Sequence, residues 1–110
     1  MVVTVATIKD LRRYPRIPSP KGTLLAWQAA GKKFVSYVGN LSLGGLYIRV
    51  LEPPPPGTFI QLLLDVPAGE VRARALVQRS KPKEGMAVKF IAMQHEDRGR
   101  LAQWLNTLAT

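Results

Sequence analysis

Apolar and polar residues alternate along most of the chain, and they change to a helical rhythm only at its end. In Thr58–Val66, Ile60, Leu62, Leu64 and Val66 fall on one face, and in the following segment Val71, Ala73, Ala75 and Val77 alternate with Arg72, Arg74, Leu76 and Gln78. Period two is the signature of a strand with one buried face. The same reading gives strands over Thr23–Ala29, Lys33–Asn40, Gly45–Val50 and Gly85–Ile91, the last alternating Met86, Val88 and Phe90 with Ala87 and Lys89. Their turns lie at Ala30-Gly31-Lys32, Pro53–Gly57, Pro67-Ala68-Gly69-Glu70 and Lys81-Pro82-Lys83-Glu84, where proline and glycine interrupt the ladder. Leu101, Trp104, Leu105 and Leu108 then recur at helical spacing, which predicts a helix from about Glu96 to Leu108 with an apolar stripe laid on the sheet.

Six short antiparallel strands followed by one helix predict a mainly β fold, a small closed or half-closed barrel, because closure removes exposed edges. Residues 1–22 read differently. Pro15, Pro18 and Pro20 remove backbone donors and bias the residues before them to extended conformations, so this part is expected to be a flexible, basic arm, and residues 23–110 the barrel and helix of the same domain. Trp27 alternates with Ala26 and Gln28, and both burial and a stacking role are open to it. With 110 residues there is room for one core and one site.

Charge adds a direction. The net charge of +9 is uneven: residues 1–50 hold eight Lys/Arg against Asp10, giving +7, while residues 51–110 hold eight against six acids, giving +2. A basic field of this kind attracts nucleotides, nucleic acid, anionic lipid or an acidic protein face. The chain has no cysteine, which excludes disulfides, thiolate metal sites and cysteine nucleophiles and fits a cytoplasmic protein. Met1 to Ile8 is apolar but lacks the basic run and the length of a signal peptide or membrane span. His95, beside Glu96 and Asp97, reads as a helix opening, and no metal-ligand spacing or nucleophile–base pair is present, so an enzyme is not expected. Gly39 and Gly44 have the spacing of a phosphate loop, yet Gly45 and Leu46 stand where its Lys and Ser/Thr belong.

Two motifs carry the candidate chemistry. Leu11-Arg12-Arg13-Tyr14-Pro15-Arg16 places three guanidinium groups on the arm, each able to grip a phosphate or the O6/N7 edge of guanine in bidentate fashion. One hairpin later comes Asn40-Leu41-Ser42-Leu43-Gly44-Gly45. As a plain turn, this second run has Asn and Ser bonding to nearby backbone, with Gly44-Gly45 following for positive φ.

In this order, Arg-x-x-x-Arg, a strand hairpin and then Asn-x-Ser-x-x-Gly, the chain resembles the PilZ domain family, and the resemblance extends over residues 10–108. Asn in place of Asp at the head of the second motif is an ordinary variant of that family. The resemblance implies a six-stranded barrel and a non-enzymatic bacterial receptor for cyclic di-GMP, with no other cofactor. Arg12, Arg13 and Arg16 would contact phosphates and guanine edges, Asn40 and Ser42 would supply hydrogen bonds from the barrel surface, and Gly44 and Gly45 would give the backbone clearance. Tyr14 could stack on a guanine or pack on the barrel. Leu11, before the first arginine, goes with one bound cyclic di-GMP rather than an intercalated pair. The ligand is expected to order the arm, and the signal to pass to an unidentified protein effector. Two other classes stand beside this one: a ligand-free PilZ-like adaptor of pilus or motility machinery, and a small oligonucleotide-binding barrel. The latter needs stacking aromatics along its strands, where only Trp27, Phe34, Tyr37 and Tyr47 are available, and nucleic acid is therefore the weaker expectation.

Overall fold

The computed structural model of the protein describes residues 15–109. Their elements, in chain order, are β1 (Ile17–Pro18), β2 (Leu24–Ala29), β3 (Lys32–Leu41), β4 (Gly45–Arg49), β5 (Phe59–Val66), β6 (Gly69–Lys81), β7 (Gly85–Met93) and α1 (His95–Ala109). Strands β2 to β7 form the expected six-stranded antiparallel barrel. Its neighbours run β3-β2-β5-β6-β7-β4, and the β3–β4 pairing closes the circle. The remaining strand, β1, falls within the stretch read as an arm. It pairs Ile17 with Leu41 and Pro18 with Asn40, and so continues the β2 side of β3 toward the β3–β4 turn.

Alternation delivers the core. Ile60, Leu62, Leu64 and Val66 of β5 and Val71, Ala73, Ala75 and Val77 of β6 are all buried, as are Leu25, Leu46, Ile48, Met86 and Val88 from the other strands. Leu101 and Leu105 of α1 are buried against them, and Trp104 and Leu108 are partly so. The helix is further tied to the start of β6: Arg100 donates from Nε to the Glu70 carbonyl at 2.8 Å and from Nη2 to Asp97 Oδ1 at 2.9 Å. Glu96 and Asp97 occupy its first turn, where negative charge complements the helix dipole. Trp27 belongs to the core. It is 3% exposed, donates from Nε1 to Ser36 Oγ at 3.0 Å, and stacks on Phe34 with ring centroids 4.2 Å apart.

Strand β6 extends beyond the expected segment at both ends. Gly69 pairs with Val66, so the β5–β6 turn shortens to Pro67-Ala68, and a bulge between Val77 and Arg79 carries the strand on to Lys81. The β2–β3 turn is Ala30-Gly31, with φ of 52° and 78°, the two positive values of the turn whose twist matches a hairpin. Alanine is a poor occupant of that region. Ala30→Asn is therefore expected to stabilise the fold by about 0.5–1 kcal/mol, read as a rise of a few degrees in Tm, about 4–8 °C per kcal/mol for a domain of this size.

Candidate functional site

The β3–β4 turn is built around one hydroxyl. Ser42 Oγ donates to the Gly45 carbonyl at 3.1 Å and accepts from the backbone N–H groups of Gly44 and Gly45, each at 3.1 Å, while the Ser42 N–H donates to the same Gly45 carbonyl at 2.8 Å. One donor and two acceptor positions are all a hydroxyl has. Ser42 is 3% exposed, so its side chain is fully engaged inside the turn and shapes the barrel surface by fixing the backbone there. Ser42→Ala would leave two N–H groups without their acceptor, which costs about 1–3 kcal/mol in burial. Chemical denaturation is expected to show that loss, with the midpoint lowered and the slope unchanged.

The glycines of the motif are explained by space. Neither Gly44 nor Gly45 has a positive φ, so the turn does not use them for left-handed backbone. A Cβ on Gly45 would lie 2.1 Å from the Val88 carbonyl oxygen and 3.2 Å from Lys89 Cα, because β4 and β7 approach closely where Gly45 pairs with Lys89. Gly44 in turn accepts from the Phe90 N–H at 2.9 Å, which fastens the turn to β7.

Arg16 lies at the entry to β1, and the β1–β3 pairing sets it beside Asn40. Its Nη1 donates to Asn40 Oδ1 at 2.9 Å, joining residues 24 positions apart, both at the surface. Ser19 reinforces this placement by donating from its hydroxyl to the Val38 carbonyl and from its N–H to the Gly39 carbonyl at 3.3 Å. Arg12, Arg13 and Tyr14 lie outside the described residues.

A cleft of about 850 Å³ opens next to this contact. Arg16 and the Ser42–Gly44 turn form one wall, and Arg79 of β6, Lys89 of β7 and Arg98 of α1 supply cations to the other. Among the described residues no carboxylate lines it. Such a cleft favours a ligand carrying several negative charges. The sequence alone does not mark Arg79, Lys89 and Arg98 as candidates. Lys89 is visible there as an outward position of β7, but its nearness to the motif depends on the Gly45–Lys89 pairing, which no single strand reveals. Arg79 reaches the cleft beyond the Val77/Arg79 bulge, where simple alternation stops. Among the described residues no cluster of His, Asp or Glu could hold a metal ion, and no helix is long and apolar enough to cross a membrane.

A family model described as PilZ domain matches residues 10–107, a span that includes both motifs. No curated protein matches the chain. Solved structures resemble it in fold. The PilZ domain of YcgR from Escherichia coli, solved with c-di-GMP, is 17% identical with a TM-score of 0.70, covering 89% of this chain and 91% of that one. The Borreliella burgdorferi PlzA protein, in complex with c-di-GMP, is 13% identical with a TM-score of 0.69, covering 93% of this chain and 46% of the other. The Bacillus subtilis inhibitor of motility MotI is 19% identical with a TM-score of 0.67, covering 87% of this chain and 50% of its own. The chain thus spans about half the length of PlzA and MotI. With both motifs, the closed barrel and a family match over residues 10–107, the chain belongs to the PilZ domain family.

Proposed function

We propose that this chain is a receptor for cyclic di-GMP, bound across the cleft between the Arg16–Asn40 contact and the Arg79/Lys89 wall, and that it passes the signal to a protein partner in the bacterial cytoplasm. The observation that carries this reading is the hydrogen bond from Arg16 to Asn40, which joins the two motifs at the lip of a cleft lined by four cations. The c-di-GMP complexes of the YcgR and PlzA domains, similar in fold, support the choice of ligand.

The chemistry suits the ligand. Cyclic di-GMP carries two phosphates and two guanines. Arg16 spends one N–H on Asn40, which orients its planar fork and leaves the other donors for a phosphate or a guanine edge. Asn40 offers its side-chain N–H₂ to a guanine O6 or N7 or to a phosphate oxygen. Lys89 and Arg79 supply positive charge on the opposite side, and Arg12 and Arg13, by their place in the motif, complete the set. Ser42 and Gly45 act at one remove, holding the turn and letting β4 pack on β7.

Titration calorimetry tests the reading. Cyclic di-GMP is expected to bind saturably with one ligand per chain, and cyclic di-AMP, which presents an amine where guanine has O6, is expected to bind at least about tenfold more weakly. Equal affinity for both would remove guanine readout from the account, and no heat with either would remove the ligand. Raising the salt concentration is expected to weaken cyclic di-GMP binding, because the cleft cations act partly through screened charge.

A further inference from the structure

The barrel does not close along its whole length. Strand β4 meets β3 only from Tyr37 to Leu41, whereas β2 accompanies β3 from Lys32 to Tyr37. Val38 donates from its N–H to the Thr23 carbonyl at 2.9 Å, which fixes the alternation: Lys32, Phe34, Ser36 and Val38 direct their backbone groups toward β2. Lys33 and Val35 therefore direct theirs the other way, to the edge that β4 does not reach. The divergence has a cause, since the bulge between Val38 and Asn40 bends and twists β3 there. Past Arg49 the chain turns to the β6–β7 connection instead, where Val50 donates to the Glu84 carbonyl at 3.3 Å and Lys83 to the Leu51 carbonyl at 2.7 Å.

Between this edge and the 50–52 and 83–84 segments lies a groove of about 1060 Å³. Apolar side chains are exposed along it: Val35 is 68% exposed, Tyr37 56% and Leu51 72%. An edge whose donors and acceptors have no strand partner among the described residues, beside apolar side chains, is a template for one more strand. The charges choose the occupant. Lys32 and Lys33 lead the edge, and Arg49 and Lys83 face Glu52 and Glu84 in the groove, where Glu84 is already paired with Lys81 at 3.1 Å. The surplus is positive, and the chain's net charge of +9 opposes a second copy of itself.

We infer that the open edge of β3 at Lys33–Val35 is a docking site for an extended, acidic segment of another protein, added to the barrel as a strand. The groove reaches Asn40 at its far end, whereas the pairing edge at Lys33–Val35 shares no residue with the nucleotide cleft, and its test requires no nucleotide. The probe is a capped hexapeptide alternating valine with aspartate, titrated into the full ¹⁵N-labelled chain while amide hydrogen exchange is followed. At saturation the Lys33 and Val35 amides are expected to slow by about tenfold or more, while those of Phe34 and Ser36, already bonded to β2, change little. The same peptide with alternating backbone nitrogens methylated on the pairing edge, or with lysine in place of aspartate, is expected not to bind. Val35→Pro removes the outward donor without touching a β2 bond, a position where an edge strand accepts proline. That variant is expected to keep the parent's melting behaviour and lose the peptide.

Several results would overturn the inference. They are unchanged exchange at Lys33 and Val35 with peptide present, equal protection by the lysine peptide, or binding that survives N-methylation. Protection already present in the free chain would also overturn it, because residues 1–14 would then hold the edge if it were independent of concentration, or a second copy if it rose with concentration.

Discussion

Arg16→Ala is expected to weaken cyclic di-GMP binding about ten- to a hundredfold, since a hydrogen bond to a charged group contributes about 1.5–3 kcal/mol. Two losses act together in this variant. The guanidinium no longer reaches the ligand, and Asn40 loses the partner that orients it, the 2.9 Å contact from Arg16 Nη1 to its Oδ1. Arg16 is exposed, so thermal stability is expected to stay within about 0.5 kcal/mol of the parent. Affinity and stability thereby separate. Unchanged affinity in calorimetry would mean that the Arg16–Asn40 contact belongs to the fold and not to the ligand. Arg16→Lys distinguishes charge from shape: lysine keeps the charge without the planar fork, and recovery of only a small part of the lost affinity is expected.

Gly45→Ala is expected to cost about 3 kcal/mol of stability, at the upper end of ordinary overpacking, and to lower Tm by more than about 10 °C. The added Cβ would stand 2.1 Å from the Val88 carbonyl oxygen, a backbone atom with no rotamer to yield. Relief requires β4 to move away from β7, and the Ser42–Gly45 turn moves with it. Gly99→Ala provides the opposite case. A Cβ at Gly99 meets nothing within 4 Å, and the residue lies inside α1, so this change is expected to stabilise by about 0.5–1 kcal/mol. Two glycine-to-alanine changes of opposite sign test the packing geometry rather than any general property of glycine. A Gly45→Ala protein that melts with the parent would contradict the close β4–β7 approach.

Much of the fold is legible in the sequence because a strand with one buried face repeats every two residues. Ile60 to Val66 and Val71 to Val77 read directly as inner faces, and Leu101 and Leu105 read as the helix stripe. The short β1 is invisible because Pro15, Pro18 and Pro20 suppress every strand signal around it, although Pro18 is acceptable at an edge where no donor is required. The length of β6 is hidden by its bulge. At the site, the two motifs name Arg16 and Asn40, and the structure brings that pair together. What the motif does not disclose is how its parts divide the work. Ser42 reads as a surface hydrogen-bonding group, but its hydroxyl is consumed by Gly44 and Gly45, and Gly45 reads as a turn or clearance glycine, but its nearest obstacle is Val88. The far wall of the cleft is equally hidden. Arg79 and Lys89 reach it through register between β6, β7 and β4, a property of pairing that no one segment contains.

The open edge and the cleft lie at opposite ends of one strand. Asn40 stands near the end of β3 and Lys33 near its beginning, with the Val38/Asn40 bulge between them. The groove beside the edge extends to Asn40, so the nucleotide and the inferred strand partner use different groups where the added strand pairs at Lys33–Val35. A ligand held at Asn40 and a partner paired at Val35 can be present together, so the two binding reactions can be measured separately and then in combination.

The most direct test of the central claim is to locate the ligand by ¹⁵N NMR of the full chain, following side-chain as well as backbone resonances as cyclic di-GMP is added. The largest shifts are expected at the Arg16 Nε–H, the Asn40 side-chain amide and the backbone of Leu43, Gly44 and Lys89, with Gln28 and Gln61 on another face unchanged. Shifts clustered around Gln28 and Gln61, or none at Arg16 and Asn40 under saturating ligand, would contradict the account.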